Sequence, residues 1–196
     1  MKLAVEKLEA GYQGKTVVKD VSFTVEKGEF ISLIGPSGCG KSTVLKVLAG
    51  LLEPMAGTIM VDDAPLQGGS RHFSYMPQSD LLLDWYDILD NVCLYGKIHG
   101  KKKEAQQQAL ENLKEFGLAG YEHAYPSQLS GGMRQRAAFL RTALCDSDIL
   151  LLDEPFGALD VITREDMQDW LNRMRQRLDR TTLLVTHDID EAIYLS

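Results

Sequence analysis

The spacing of apolar residues near the two ends of the chain differs from their spacing in its middle. Near both ends they form short runs rich in valine, isoleucine and leucine, separated by glycine-containing turns, which is typical of β-strands. We expect the run at Phe30–Ile34 to be a buried strand, and the run at Ile149–Leu152 to be buried in a parallel sheet. Strands are predicted at Leu3–Leu8, Thr16–Val25, Phe30–Ile34, Thr58–Val61, His72–Met76, Ile149–Leu152 and Thr182–Val185, with turns at Gly11, Gly14 and Gly28.

Between these strands the apolar residues recur every three or four positions, which predicts helices. Thr163 and Asp166 have the spacing of a capping box, and Asp188 can cap a last helix through Glu191. The predicted helices are Val44–Ala49 with a stop at Gly50, Ile88–Ile98, a segment from Ala105 to Phe116 with Gly117 at its C′ position, a helix from Ser130 to about Cys145, and Thr163–Leu178.

Composition and charge narrow the class of protein. The 196 residues contain 44% hydrophobic and 25% charged residues, which is ordinary for a soluble globular domain. The net charge of −7 argues against a general nucleic-acid surface, and no apolar run approaches the ~20 residues of a membrane helix. Three widely spaced cysteines show no metal or disulfide pattern, so we expect a reducing cytoplasmic compartment.

The segment between the strand at 30–34 and the helix at 44–49 fits the phosphate-loop pattern G-x-x-x-x-G-K-[ST]. Its glycines let the backbone N–H groups point inward around a phosphate chain, and the helix N-terminus adds its positive dipole end. Lys41 is expected to reach the β- and γ-phosphates, Ser42 to ligate Mg²⁺, and Thr43 to support the α-phosphate side. The predicted nucleotide-binding residues of this loop are Gly35, Pro36, Ser37, Gly38, Cys39, Gly40, Lys41, Ser42 and Thr43.

Two further segments carry candidate chemistry. Ser130, Gly131 and Gly132 open a predicted helix, which makes a second potential anion site, although such a triplet alone usually marks only a helix cap. Asp153 and Glu154 follow a buried strand, and adjacent side chains there point to opposite sides. One carboxylate can therefore face a Mg²⁺ shell while the other faces an attacking water.

Six motifs in order resemble the nucleotide-binding subunit of an ABC transporter, over nearly the whole chain. The signature departs from the usual L-S-G-G-Q at Met133. The motifs are Walker A at Gly35–Thr43, the Q-loop at Gln78, the signature at Leu129–Met133, Walker B with its glutamate at Ile149–Glu154, the D-loop at Ala158–Asp160 and the switch histidine at His187.

The resemblance implies a role for each motif residue. Tyr12 would stack on adenine, and Asp153 would hold Mg²⁺ through water. Glu154 would act as general base, and His187 would contact the γ-phosphate. Gln78 would touch Mg²⁺ or the lytic water and sense a membrane partner. These roles amount to positioning and charge stabilisation, the usual strategy of phosphoryl transfer.

The family also implies a homodimer that closes head to tail on ATP. The signature residues Ser130, Gly131 and Gly132 would then contact the γ-phosphate of ATP bound to the other subunit, with Asp160 at the interface. Its partners would be integral membrane permease subunits and an extracytoplasmic solute-binding protein, and no nucleic acid would bind. The chain itself would lie at the cytoplasmic face of a bacterial-type cell membrane.

A narrower resemblance follows Gln78. Leu81–Trp85 and Asn91-Val92 look like the L-L-P-W…N-V segment of the nitrate/sulfonate/taurine importer ATPases, with Asp84 in place of proline. The solute would be small, such as an alkanesulfonate, taurine, nitrate or a pyrimidine precursor. A soluble ABC protein of DNA repair, chromosome organisation or translation usually has a long coiled-coil insertion between Walker A and the signature, or two ATPase domains, and this sequence shows neither. A regulatory subunit without turnover would lack Glu154 or His187.

The implied fold is α/β: a P-loop NTPase core with a mostly parallel sheet, an N-terminal antiparallel β subdomain and an inserted α-helical signature subdomain. Residues 1–196 would form a single ABC ATPase domain. Residues 1–79 and 148–196 would form the catalytic core with the β subdomain, and residues 80–147 the helical subdomain. Such domains normally continue further after the switch histidine, so we expect the domain to be truncated at its C-terminus.

Overall fold

The computed structural model describes residues 1–66, 71–178 and 180–196. The chain divides into two compact units. The first contains Met1–Tyr75, Ser147–Glu154 and Leu171–Ser196, and the second contains Met76–Asp146 and Pro155–Trp170. The predicted division into 1–79 with 148–196 and 80–147 stays a prediction.

An antiparallel sheet forms one layer of the first unit. Its strands are β1 (Leu3–Tyr12), β2 (Lys15–Val25), β4 (Ala56–Val61) and β5 (Ala64–Pro65), in the order β2-β1-β4-β5. The turn predicted at Gly11 is wrong, because this residue lies within β1. A Cβ atom there would come within 1.9 Å of the Lys15 carbonyl oxygen on the paired strand, so glycine is required for close strand approach rather than for a turn.

The second sheet of this unit has the order β3-β8-β7-β6, formed by β3 (Phe30–Ile34), β8 (Thr181–Thr186), β7 (Ile149–Asp153) and β6 (Phe73–Met76). The central strands β7 and β8 are buried throughout and pair in parallel, as predicted for Ile149–Leu152. Strand β3 also pairs in parallel with β8 but is half-buried, so its predicted burial is wrong: it is an edge strand of this sheet.

The parallel register brings strand ends together. Ile34 pairs with Thr186, and Asp153 pairs with Val185, so β3, β7 and β8 end at one edge of the sheet. The phosphate-loop segment, Glu154 and His187 follow directly after these three strands. This edge is therefore where polar side chains of the first unit converge.

Helix α1 (Lys41–Leu48) packs its apolar face against both sheets of the first unit. Val44, Leu45, Val47 and Leu48 are buried in a core with residues of β1, β7 and β8. Ala49 is the C-cap of the helix, and Gly50 follows with φ of 72°, which agrees with the predicted stop. This core fixes the helix N-terminus that carries Lys41 and Ser42.

The second unit is helical. Its elements are α2 (Ile88–Val92), α3 (Leu94–Ile98), α4 (Lys102–Leu113), a short 3₁₀ helix at Pro126–Gln128 and α5 (Gly131–Ala143). The single helix predicted over 88–98 is wrong, because Cys93 separates two short helices. Helix α4 ends at Leu113, before the predicted end at Phe116, although Gly117 has the expected positive φ of 66°.

Aromatic rings form the core of the second unit. The ring of Trp170 makes edge contacts with those of Phe116 and Phe139, at centroid distances of 4.9 and 5.3 Å. Trp170 lies on α6 (Val161–Leu178), whose first ten residues belong to this unit. The last helix, α7 (Ile189–Leu195), belongs to the first unit and begins as predicted, since the Asp188 carboxylate accepts hydrogen bonds from the N–H groups of Asp190 and Glu191.

The observed α/β architecture confirms the predicted fold class. A mostly parallel sheet, a separate antiparallel sheet and a helical unit are all present. Over the described ranges, no helix is both long and apolar enough to cross a bilayer.

Candidate functional site

The phosphate-loop segment connects β3 to α1 by a path that ordinary residues cannot follow. Gly38 and Gly40 have φ values of 80° and 102°, in the left-handed region that favours glycine. A Cβ atom on Gly40 would also lie 2.8 Å from a methyl carbon of Val18. The loop shape therefore depends on glycine at position 40 both for its backbone angles and for its packing.

Lys41, the first residue of α1, is held inside this loop. Its side chain is almost fully buried, and its Nζ donates hydrogen bonds to the carbonyl oxygens of Gly35 at 2.7 Å and Pro36 at 3.0 Å. The same Nζ lies 3.9 Å from Oε1 of Glu154. A desolvated ammonium group held by backbone carbonyls is a strong attractor for an anion such as a phosphate.

Asp153, the last residue of β7, is 4% exposed and both of its carboxylate oxygens accept hydrogen bonds. Ser42 Oγ donates to Oδ1 at 2.8 Å, and the hydroxyl of Tyr75 donates to Oδ2 at 2.8 Å. Burial, followed by the charge of Asp153, raises the pKa of the Tyr75 hydroxyl far above its usual range. The structure thus joins the predicted Mg²⁺ ligands Ser42 and Asp153, and adds a tyrosine that the sequence analysis missed.

Glu154 lies at the turn that follows β7. Its φ of 45° is rare for a residue with a side chain and costs on the order of 1 kcal/mol. Its N–H donates to the carbonyl of Val185 at 2.9 Å, which ties the turn to β8. Its carboxylate faces Lys41 on one side and His187 on the other, with 3.4 Å between Oε2 and His187 Nδ1.

His187 follows β8 in a loop that is held from both sides. The hydroxyl of Thr186 donates to the carboxylate of Glu191 and accepts from the N–H of Asp188 at 3.0 Å. About half of the His187 side chain is exposed. An imidazole beside a half-buried carboxylate can orient that carboxylate as a general base.

The remaining predicted residues of the first unit differ in their exposure. Thr43 is buried on α1, whereas Pro36, Ser37 and Cys39 are exposed on the loop. Tyr12 ends β1 with 44% of its surface exposed, rather than lying in a turn. Their predicted contacts with a nucleotide stay predictions.

The predicted signature residues begin α5 in the second unit. Ser130 is the N-cap, and its Oγ accepts a hydrogen bond from the N–H of Met133 at 3.3 Å. A Cβ atom on Gly132 would lie 2.6 Å from a methyl carbon of Thr163, so packing alone requires glycine there. The cap and the close approach account for two of these residues locally, and an additional contact with phosphate stays a prediction.

Asp160 precedes α6 and caps it. Its carboxylate accepts hydrogen bonds from the N–H of Thr163 at 3.1 Å and from the Thr163 hydroxyl at 2.7 Å. These bonds lower the pKa of the Asp160 carboxyl. The capping box predicted from Thr163 to Asp166 is therefore wrong, because the helix begins two residues earlier than expected.

Gln78 also belongs to the second unit, where its carbonyl oxygen accepts a hydrogen bond from Gln135 Nε2 at 3.4 Å. The segment after it is bound to α5, since the Arg141 guanidinium donates to the carbonyls of Asp80 and Leu81. The predicted action of Gln78 on Mg²⁺ or water stays a prediction.

The residues of the first unit fit a nucleotide with a divalent cation. The loop supplies a buried cation in Lys41 and a glycine-lined backbone, which suit a polyphosphate. Ser42 and Asp153 supply a hydroxyl and a carboxylate, the oxygen ligands that Mg²⁺ prefers. The Ser42 hydroxyl and the Asp153 carboxylate are joined to each other by a hydrogen bond.

Comparison with known proteins gives one consistent result. A family model described as ABC transporter matches residues 18–157. The taurine import ATP-binding protein TauB of Yersinia pestis is 45% identical over 195 residues, which are 99% of this chain and 76% of the relative. The aliphatic sulfonates import ATP-binding protein SsuB 1 of Rhodococcus jostii is 50% identical over 94% of this chain and 72% of the relative.

A third relative, the formylaminopyrimidine import ATP-binding protein ThiZ of Halalkalibacterium halodurans, is 47% identical over 99% of this chain and 76% of its own. Among solved structures, an ATP-binding cassette in a dimeric post-hydrolysis state with ADP and Pi has a TM-score of 0.81 at 30% identity, and the match covers 98% of this chain and 90% of that one. The cbiO1 subunit of a Clostridium perfringens ABC transporter complex has a TM-score of 0.86 at 26% identity, covering 98% and 81%.

Proposed function

The chain belongs to the ABC transporter ATPase family, and from this premise we propose that it is the ATP-binding and ATP-hydrolysing subunit of an importer for a small solute. The observation that carries the proposal is the cluster at the sheet edge. There, buried Lys41, the Ser42–Asp153 pair and Glu154 with His187 lie within hydrogen-bond or ion-pair distance of their neighbours. The family resemblance predicted from the six motifs is confirmed.

Binding of the phosphates is assigned to the loop. Lys41 gives up its bonds to the Gly35 and Pro36 carbonyls, or shares them, and its ammonium group neutralises phosphate charge. The backbone N–H groups at the start of α1 add donors that the helix itself leaves free. Tyr12, exposed at the end of β1, offers its ring to the adenine base.

Ser42 and Asp153 would hold Mg²⁺, with Gln78 as the further ligand that the family predicts. A Mg²⁺ ion held by these residues would supply positive charge against the charge that develops on the phosphates. Asp153 is suited to this role because it is buried and its orientation is fixed through both oxygens. These residues orient the phosphate chain for in-line attack.

Glu154 is assigned the role of general base. It accepts the proton of the attacking water, and the Lys41 ammonium lies 3.9 Å from its Oε1. His187 keeps the carboxylate oriented, since its Nδ1 lies 3.4 Å from Oε2 of Glu154. Its other ring nitrogen is left to reach the γ-phosphate.

The signature is proposed to act across a homodimer. Ser130, Gly131 and Gly132 form the N-terminus of a 13-residue helix, where N–H groups and the helix dipole favour an anion. Asp160 would lie at the same interface. The solved cassette in a dimeric state with ADP and Pi supports this arrangement by its 30% identity to this chain.

The importer role requires membrane permease subunits and an extracytoplasmic solute-binding protein, with this chain peripheral at the cytoplasmic face. The surface proposed for the permease includes Leu81 and Trp85, which are 59% and 71% exposed after Gln78. Asn91 supports this loop, because its buried amide bonds to the backbone of Leu83, Tyr86 and Asp87. Relatives named for taurine, sulfonates and formylaminopyrimidine favour a small solute of this range.

A phosphate-release assay with Mg-ATP tests the proposal. We expect wild-type turnover to increase more than linearly with protein concentration, and Glu154→Gln to lower kcat about 1,000-fold, since a general base contributes on this order. Glu53→Gln, at an exposed glutamate of the same unit, is the matched control and should hydrolyse ATP normally. Wild-type turnover in the Glu154→Gln variant would refute the assignment.

A further inference from the structure

The Asp153 carboxylate is oriented by two hydroxyl groups from different parts of the first unit. Ser42 at the start of α1 reaches Oδ1, and Tyr75 on β6 reaches Oδ2, each at 2.8 Å. Asp153 is 4% exposed, so water has little access to either oxygen. The six motifs account for Ser42 and Asp153 but assign nothing to Tyr75.

Tyr75 is built into the unit as a fixed donor. Its ring packs against the hydrophobic core that includes residues of β1, α1 and β7. Its hydroxyl oxygen lies 2.8 Å from Oδ2 of Asp153, on the neighbouring strand β7. A phenol has one proton to donate, and here that proton is directed to Oδ2.

We propose that Tyr75 is a positioning residue for Asp153, and that its hydrogen bond to Oδ2 sets how strongly the Ser42–Asp153 pair holds Mg²⁺. The proposal rests on the function given above. With Oδ2 fixed by Tyr75, the carboxylate cannot rotate away from the Ser42 side. Without the hydroxyl, one buried oxygen would lack its donor and the side chain could turn.

Partners that orient a metal ligand typically contribute 10- to 100-fold to metal affinity. Tyr75→Phe removes one oxygen atom and preserves the ring that packs in the core. We therefore expect the Mg²⁺ concentration that half-saturates nucleotide binding to rise about tenfold. Binding in EDTA should be unchanged, because it depends on Lys41 and the loop.

The experiment titrates Mg²⁺ against binding of a fluorescent ATP analogue to the 196-residue chain. Wild type, Tyr75→Phe and the control Tyr121→Phe, which makes the same change at an exposed tyrosine of the second unit, are compared. A tenfold shift in Tyr75→Phe alone supports the proposal. An unchanged Mg²⁺ midpoint, or an equal loss of binding in EDTA, would overturn it.

A rescue separates the hydrogen bond from packing. Replacing residue 75 with p-aminophenylalanine keeps a donor at the same place on the ring, and we expect the Mg²⁺ midpoint to return most of the way to the wild-type value. If Tyr75→Phe is too unstable to purify, this variant still decides the question. A Mg²⁺ midpoint about tenfold above the wild-type value in this variant would contradict the role of the hydrogen-bond donor.

The wild-type titration distinguishes failure of this proposal from failure of the proposed function. Wild-type binding that responds to Mg²⁺, with Tyr75→Phe identical to it, removes only the role of Tyr75. Wild-type protein with no Mg²⁺-dependent nucleotide binding removes both.

Discussion

The phosphate-loop region and the signature region differ in the sequence distance between their predicted functional residues and the residues these contact. In the first unit, Ser42 bonds to Asp153, which lies 111 positions away, and Glu154 pairs with both Lys41 and His187. In the second unit, the side chains of Ser130 and Asp160 each bond to a residue three positions further along the chain.

This difference indicates which functions each unit can perform without a partner. The cluster around Lys41 already contains the cation, the carboxylates and the imidazole that phosphoryl transfer needs. The start of α5 offers a helix N-terminus whose serine is occupied as a cap. We therefore expect the first unit to bind the phosphates, and the signature to act only when a second copy supplies a nucleotide.

The largest effect should follow from removing the loop cation. Lys41→Ala is expected to weaken ATP binding by about 100-fold or more, because the variant loses a desolvated charge directed at the phosphates. Binding of a fluorescent ATP analogue measures this change. Lys46→Ala, on the same helix, is the matched control and should bind normally. Equal affinity of Lys41→Ala and wild type would show that the loop does not bind phosphate as described.

A change at the signature should separate the two regions. Ser130→Arg, made together with Glu154→Gln to prevent turnover, is expected to bind ATP with unchanged affinity but to form no ATP-dependent dimer. The dimer should be lost because the bulky arginine side chain would block the helix N-terminus that the partner's nucleotide must approach. Ser127→Arg adds the same side chain to the exposed 3₁₀ segment as a control. Dimers of normal stability in Ser130→Arg would argue against action in trans.

The smallest effect concerns the cap of α6. Asp160→Ala should lower the thermal midpoint by about 3 °C, while Asp166→Ala should change it less, because Asp160 holds the Thr163 N–H. The pKa of the Asp160 carboxyl is lowered in the folded state. Its contribution to the free energy of unfolding is therefore fully present at pH values above the ordinary aspartate pKa, and it is lost as the pH falls through the lowered value. Thermal melts at neutral and acid pH measure both effects. A larger loss in Asp166→Ala would restore the predicted capping box.

Local patterns predicted much of this structure. The strand, glycine loop and helix around Lys41, the buried strand before Asp153 and the Asp188 cap all depend on residues close in sequence, and each is observed. The fold class and the family are confirmed as well.

The errors have physical causes that local patterns do not contain. Gly11 satisfies a cross-strand contact, not a turn. The capping box predicted for Thr163 and Asp166 is wrong because the helix begins at Val161, where Asp160 caps it. Tyr75 was missed because its partner lies 78 positions away, on the neighbouring strand of the sheet. Contacts across strands depend on sheet order, which the sequence pattern alone does not specify.

The most direct test of the account is the molar mass of the Glu154→Gln protein, measured by light scattering with and without Mg-ATP. Loss of the general base should trap bound ATP, so we predict a monomer without nucleotide and a dimer with it. A protein that binds Mg-ATP but remains a monomer would contradict the claim that the phosphate loop of one copy is completed by the signature of another.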